Sequence, residues 1–406
     1  MLRSMFTAIS ALNIHQSFMD VIADNLANAN TTGYKASRVI FQDQFAQLWN
    51  AGAPPSGTTG GINPTQIGLG AQIGYISPIF TQGSLQNTGR NLDLAMQGDG
   101  FFIYSNGNGQ YFSRDGSLSV DASGYLVNAS NGMRVQGWMA AAGATTVNSS
   151  GPIGGITIPD NATLAQASST ASLGGNLDSS VANGTTYTTT MGVYDSLGAV
   201  HSVAVQFTRT GANTWGYQVT GPAGAAGAGT LTFDAQGQMT NNAVTTAITV
   251  PGSTGAANIA LTVDMTGVTM LSQTSNISLT SQNGLPAGSL SDIYVGPNTG
   301  EVYLLFSNGL KQLVGQLASA KFTNPTGLIR KGENLFQLGL NSGDPQIGTA
   351  ETGGRGSIVA GYREASNVDM AQEFTNMILA QRGFQASSRV ITTSDEMLQE
   401  LVNLKR

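Results

Sequence analysis

The residues that could carry out chemistry are few and scattered. Histidine occurs twice in 406 residues, as His15 and His201, and cysteine is absent. No imidazole-rich metal cluster can be built from two histidines, and neither a thiolate nucleophile nor a thiolate metal ligand exists. His201 lies in a Ser/Thr-rich stretch with strand character, where a Ser-His-Asp relay could form from distant residues. A strand histidine in such a sheet is more often an edge or surface residue. Asp395 and Glu396 are adjacent on a helical stretch and diverge, while Asp369 and Glu373 form a like-charged i,i+4 pair. Solvated helix faces explain both. Gly68-Leu69-Gly70 continues to Gly74, one residue too long for a dinucleotide loop, and Gly327 to Gly332 is followed by Glu333 instead of Lys and Ser or Thr. These glycines read as turns. The expectation is a protein that is no enzyme and holds no cofactor or metal.

Composition points the same way. Charged residues make up 10% of the chain, against about 25% in an average globular protein. Seventeen Lys and Arg against 23 Asp and Glu leave a net charge of −6. Nucleic-acid binding needs a basic stripe to displace counterions, and none is present. A surface this poor in charge repels its own copies weakly, which favours association. The lack of cysteine suits an exported protein. No run approaches the ~20 apolar residues of a membrane helix, so direct membrane insertion is not expected. Asn13, His15 and Gln16 interrupt any signal-peptide core after Arg3, so export is expected to proceed without a cleavable leader.

Helical periodicity is confined to the two ends. Met5, Ile9, Leu12, Met19, Ala23 and Leu26 follow alternating three- and four-residue steps, with Gln16 the polar exception, up to the breaker-rich run Asn28 to Gly33. At the other end Ser366 is the expected N-cap, with Asp369 three residues on. Met370, Met377, Phe384, Ile391 and Leu398 recur every seventh residue, accompanied by Phe374, Ile378, Met397, Leu401 and Val402. The pattern predicts a helix of nearly forty residues, interrupted by Gly383 at a cost of about 1 kcal/mol relative to Ala. Two helices alone bury little, so their outer faces are expected to meet further copies. The expected polymerisation core is Met5, Ile9, Leu12, Met19, Leu26, Met370, Phe374, Met377, Phe384, Ile391 and Leu398. His15 falls on the polar flank and reads as solvated.

Between the helices the texture is short strands and Gly/Asn turns. Ala51 to Gly61 is rich in breakers, and Asn308-Gly309 between Val302–Phe306 and Leu310–Val314 is a strong hairpin signal. From Ala140 to Gly284 there are five Asp, one Arg, and no Lys or Glu. The predicted fold is mixed and mainly β. Terminal α-helices form a coiled-coil-like stem, and of two β-rich domains in the middle the central one is inserted into the other. The expected divisions are 1–30 with 365–406 as helical core, 31–70 as linker or extended loop, 71–140 with 285–364 as a discontinuous β domain, and 141–284 as the inserted outer β domain.

The ends carry more than periodicity. NANTTGYK (Asn28–Lys35), SNVDMAQEF (Ser366–Phe374) and NMILAQRGFQASSRVITTSDEML (Asn376–Leu398) resemble the terminal signatures of the bacterial flagellar rod and hook axial proteins. The positions that carry the likeness are Asn28, Asn30, Thr32, Gly33, Tyr34, Lys35, Asn367, Val368, Asp369, Gln381 and Arg382. LDLAMQGDGFFI (Leu92–Ile103) and YLLFSNGLKQLVGQLA (Tyr303–Ala318) agree, so the resemblance spans about 1–140 and 285–406. The Asn-Val-Asp opening, the length and the central insertion look most like the hook branch. One departure is that Gly383 and Phe384 stand where the family commonly has Ala and Tyr. The resemblance implies a homopolymer of many copies, a curved, flexible universal joint passing torque from rod to filament. It implies contacts with rod, hook-cap and hook–filament junction proteins, passage through the flagellar export apparatus, and an extracellular location in the hook. A distal rod subunit is the alternative, and the Thr/Ser/Gly-rich middle taken alone would suit a surface adhesin.

Overall fold

The computed structural model describes residues 2–57, 59–221, 226–241 and 245–404. Two helices, α1 (Leu2–Ala27) and α2 (Met370–Asn403), enclose a long series of strands. The fold is mainly β with terminal helices, as the periodicity predicts. No helix among the described residues is long and apolar enough to cross a membrane. The chain divides into two compact units: Met1–Ile158, Ile293–Tyr303 and Leu313–Arg406 form the first, and Pro159–Asp292 with Leu304–Gln312 the second. The inserted unit therefore begins at Pro159, later than the expected 141, because the segment before it still belongs to the first unit: Gly154–Gly155 pairs with Arg134–Met139 there.

In the first unit the outgoing and returning halves of the chain interleave. Phe101–Ser105 pairs with Gln110–Ser113 across the Asn106–Gly109 turn, and then with Ser319–Lys321 from the far side of the insertion. Leu335–Gln337 adds to Gln110–Ser113, and Ser357–Ala360 to Asp93–Gln97. Phe101, Ile103, Phe112, Trp138, Phe322 and Phe336 fill the core between them. Phe112 and Phe322 meet edge-to-face at 4.8 Å between ring centroids, the arrangement the ring quadrupoles favour.

The stretch 31–70, expected to be a linker, is instead largely paired. Ser37–Asp43 runs antiparallel to Ala71–Pro78, and Ala46–Asn50 to Thr65–Gly68. β-branched and aromatic residues at Val39, Ile40, Phe41, Ile73 and Tyr75 drive this pairing. The breakers of Ala51 to Gly61 mark only its tip, where Ala53 bridges Ile62. The start of α2 also differs from expectation. Its N-cap is Asp369, whose carboxylate accepts from the Ala371 and Gln372 N–H groups at 2.9 and 3.2 Å. The Ser366 hydroxyl takes only the Val368 N–H, at 3.4 Å. The helix is accordingly 34 residues long, short of the nearly forty anticipated.

The second unit carries two four-stranded sheets. One is a meander of Thr186–Tyr194, Val200–Gly211, Thr214–Thr220 and Ala226–Thr232; the other sets Thr170–Asp178 parallel to Ile259–Leu271. The alternating Val203, Val205 and Phe207 point into a shared core with Trp215, Leu261 and Val263. His201 lies at one end of this unit, where Asp195 is the hub. The Asp195 carboxylate accepts from the Leu197 and Ala199 N–H groups at 2.9 Å each, and from the Ser253 hydroxyl at 2.5 Å. His201 Nε2 lies 2.9 Å from the same carboxylate. Serine and histidine both bond the aspartate, an order different from the serine–histidine–aspartate relay. The Ser253 hydroxyl above all, with His201 and backbone N–H groups behind it, holds this carboxyl well below the usual carboxylate range. A depressed carboxyl stabilises the fold above its unfolded value and loses that contribution as pH falls below about 4. The second unit should therefore lose stability below about pH 4 in thermal melts, and Asp195→Asn should flatten that acid limb while lowering the melting temperature at neutral pH.

Candidate assembly site

The two helices pair antiparallel. The Asn25 amide donates to Glu373 Oε1 at 3.0 Å near one end, and the His15 ring lies against Gly383 further along. Ala8, Ile14, Ile22, Asn25, Ala380 and Ser394 are the buried positions of the two helices. The sequence-predicted seam is placed differently: Met5, Leu12, Met19, Leu26, Met377, Phe384, Ile391 and Leu398 are half-buried, and Ile9, Met370 and Phe374 are exposed. Ile378 and Leu379 are 57% and 62% exposed. One helix can cover only one stripe of another, and here the apolar residues extend around a wider arc than that stripe.

His15 is not the solvated residue its polar neighbours suggest. Its ring occupies the notch left by the missing side chain of Gly383, where a Cβ would stand 2.4 Å from ring atoms. Its Nδ1 is buried without a hydrogen-bond partner among the described residues. The glycine that weakens α2 in isolation thus admits a bulky residue from α1.

The family-like motif residues converge at the base of the pair. Gly33 has φ +69°, and a Cβ there would meet the Asp115 backbone nitrogen at 2.7 Å. Its N–H donates to the Glu364 carbonyl at 2.8 Å. Lys35, fully buried, donates to Glu364 Oε1 at 2.6 Å and to the Thr81 carbonyl at 2.7 Å. The Gly83 N–H also donates to Glu364 Oε1, and Arg114 stands 3.6 Å from its other oxygen. Burial pulls the Lys35 ammonium below its ordinary value, and the Glu364 charge opposes that shift. Asn367 accepts from the Ala36 N–H at 2.8 Å and donates to the Ile79 carbonyl at 2.8 Å. Arg330 stacks on the Tyr34 ring, 4.6 Å from its centroid, pairs with Asp24 at 3.5 Å, and donates to the Lys35 carbonyl. Asn334 donates to the Thr32 carbonyl at 2.9 Å. Asn28 holds Asp24 and Thr31, closing the end of α1.

Chain-wide likeness accompanies this geometry. Family profiles match at residues 5–35 (flagella basal body rod protein), 95–172 (flagellar hook protein FlgE/F/G D1 domain), 157–285 (flagellar basal body protein FlaE D2 domain) and 359–404 (flagellar basal body rod FlgEFG protein C-terminal). The flagellar hook protein FlgE of Treponema pallidum is 36% identical, with 100% of both chains aligned. That of Escherichia coli is 34% identical over 98% of this chain and 99% of its own. The chain belongs to the flagellar hook protein family. The flagellar basal-body rod protein FlgG of Bacillus subtilis is also similar, at 31% over 100% of both chains.

In this hook-family chain the motif positions divide by place. Thr32 to Lys35 and Asn367 are drawn together at the junction, and Asp369 caps α2. Val368 is half-buried beside them, Asn30 is exposed in the turn after α1, and Gln381 and Arg382 are exposed along α2, away from the junction. Sequence reasoning missed Asn25, Glu364, Arg330 and Asn334. Nothing local marks them, since Lys35 and Glu364 are 329 residues apart. Lys35→Met should strand Glu364 beside Arg114 and destabilise the first unit by about 3–5 kcal/mol in denaturant melts. Gly383→Ala improves intrinsic helix propensity, yet it should lower the melting temperature of the first unit, and His15→Ala added to it should restore the loss.

Proposed function

We propose that this chain is a structural subunit of the bacterial flagellar hook, assembling with many copies of itself into a curved, flexible tube that passes torque from rod to filament. The reading is supported by the full-length likeness to hook proteins, and one observation carries the mechanism: an apolar face of the helix pair that the single chain leaves uncovered. Phe374, Ile378 and Leu379 are more than half exposed on α2 alone. In a tube, neighbouring helix pairs cover them, and the burial repeats at every subunit. The role is mechanical and needs no catalysis. Rod, hook-cap and hook–filament junction proteins are the proposed neighbours at the ends of the tube. The proposed route outward is the flagellar export apparatus, and the destination is extracellular. Contacts between copies so poor in charge make few directional ion pairs, so several registers of similar energy let rows of subunits slide as the tube bends. A distal rod subunit is the weaker reading; purified protein should polymerise into curved tubes of fixed diameter, and straight ones would favour the rod. Phe374→Asp and Ile378→Asp sit on exposed positions, so each should leave monomer stability within about 0.5 kcal/mol of the parent. Each should abolish tubes in electron micrographs, because a charge in the seam would be buried at every repeat.

A further inference from the structure

Six Asn-Gly steps occur in the chain, at Asn106, Asn108, Asn131, Asn183, Asn283 and Asn308. Asparagine followed by glycine is chemically fragile. The glycine nitrogen can attack the asparagine side-chain carbonyl carbon, because glycine has no side chain to shield it and the widest backbone freedom to bring the two atoms together. A hydrogen bond that occupies that nitrogen, or one that fixes the side-chain amide, opposes the attack. The fold decides which of the six steps are held in this way.

Five are held. The Gly107 N–H donates to the Ser105 hydroxyl at 3.2 Å, and Asn106 Oδ1 accepts from the Asn108 N–H at 3.1 Å. The Gly132 N–H donates to the Asn128 carbonyl at 2.9 Å, and Asn131 Oδ1 accepts from the Met133 N–H at 3.1 Å. The Gly184 N–H donates to the Arg209 carbonyl at 2.8 Å. Asn283 Oδ1 accepts from the Ser169 and Thr170 N–H groups at 2.9 and 3.0 Å, and its amide donates to the Ser169 hydroxyl at 2.7 Å. The Gly309 N–H donates to the Phe306 carbonyl at 2.9 Å, while the Asn308 amide donates to the Leu164 and Pro286 carbonyls at 2.8 Å each.

Asn108-Gly109 differs. It stands at the tip of the hairpin whose strands pair from Ser105 and Gln110 inward, and both residues are exposed. Among the described residues neither the Asn108 side chain nor the Gly109 N–H makes a hydrogen bond; only the Asn108 N–H is engaged. The space beside Gly109 is open as well, since a Cβ there would meet nothing closer than the Tyr111 ring at 3.9 Å.

We infer that Asn108 is a site of spontaneous deamidation in the folded chain. The Gly109 nitrogen bonds to Asn108 Cγ, the Cγ–Nδ2 bond breaks, and ammonia leaves with the proton that the nitrogen gives up. Water then opens the resulting five-membered imide at either carbonyl, giving aspartate or isoaspartate. In sum an amide and one water become a carboxylate and one ammonium ion, with no oxidant or reductant. Phe101 to Ser113 contains no Asp, Glu, Lys, Arg or His, so the new carboxylate is the first charge on that hairpin. It adds one negative charge to a chain of net charge −6. The strand pairing lies below the tip, so the modification leaves the fold in place.

The test is to incubate the full-length monomer in warm, mildly alkaline buffer, digest it under mildly acidic conditions, and sequence the peptides by mass spectrometry. The fragmentation must separate Asn106 from Asn108 and isoaspartate from aspartate. Asn108 should convert at least about fivefold faster than each of the other five, the difference that one hydrogen bond to be broken imposes. In the urea-unfolded chain the six should convert at similar rates. Gly109→Ala should remove most of the conversion at Asn108 and leave the melting temperature unchanged. Conversion at Asn108 no faster than at a held step, or the same ranking in the unfolded chain, would overturn the assignment to the fold. Undiminished conversion in Gly109→Ala would overturn the attack by the glycine nitrogen.

Discussion

The Lys35–Glu364 ion pair is the joint on which the first unit depends. It ties the segment leaving α1 to the segment approaching α2 after 329 intervening residues. Burying two charges is expensive, and a buried pair contributes only where its remaining hydrogen-bonding capacity is met. Here the Thr81 carbonyl accepts from Lys35 and the Gly83 N–H donates to Glu364 Oε1, while Glu364 Oε2 faces the Arg114 charge at 3.6 Å without a hydrogen bond among the described residues. Asn25 and Asn367 extend the joint into both helices and the paired strands beside them. The outgoing and returning chains are therefore fixed at one place, and the helices leave it as a pair whose free apolar face has a defined direction.

That defined direction matters because the helices carry more apolar surface than a pair can cover. Ala8, Ile14, Ile22 and Ala380 are the buried apolar positions of the two helices, and their other apolar residues are left half-buried or open. A monomer with such a face is incomplete, and weak charge repulsion elsewhere lets copies approach. The His15–Gly383 notch adds a register mark to the pair, since only at that level can α2 accept a ring from α1.

Much of the architecture was legible from period alone. Heptad spacing marked both helices, and alternation marked strands such as Val203 to Phe207. The Asn308-Gly309 pair correctly announced a tight turn, with Gly309 at φ +84° and Phe306 bonded to Leu310. What failed were features decided by contacts far along the chain. The stretch 31–70 reads as a linker because its breakers are conspicuous, while its strand partner lies beyond them. His15 reads as solvated because the glycine that houses it is 368 residues away. The N-cap fell to Asp369 because an ionised carboxylate accepts backbone N–H groups more strongly than a hydroxyl does. Of the assembly site, the apolar residues were visible, but not which of them α1 and α2 would hide from one another.

The most direct measurement is amide hydrogen exchange of the full chain as monomer and as polymer. If copies join through the helix pair, protection in α1 and α2 should rise sharply on assembly. Protection that rises in the β units while both helices exchange as fast as in the monomer would contradict assembly through the helices.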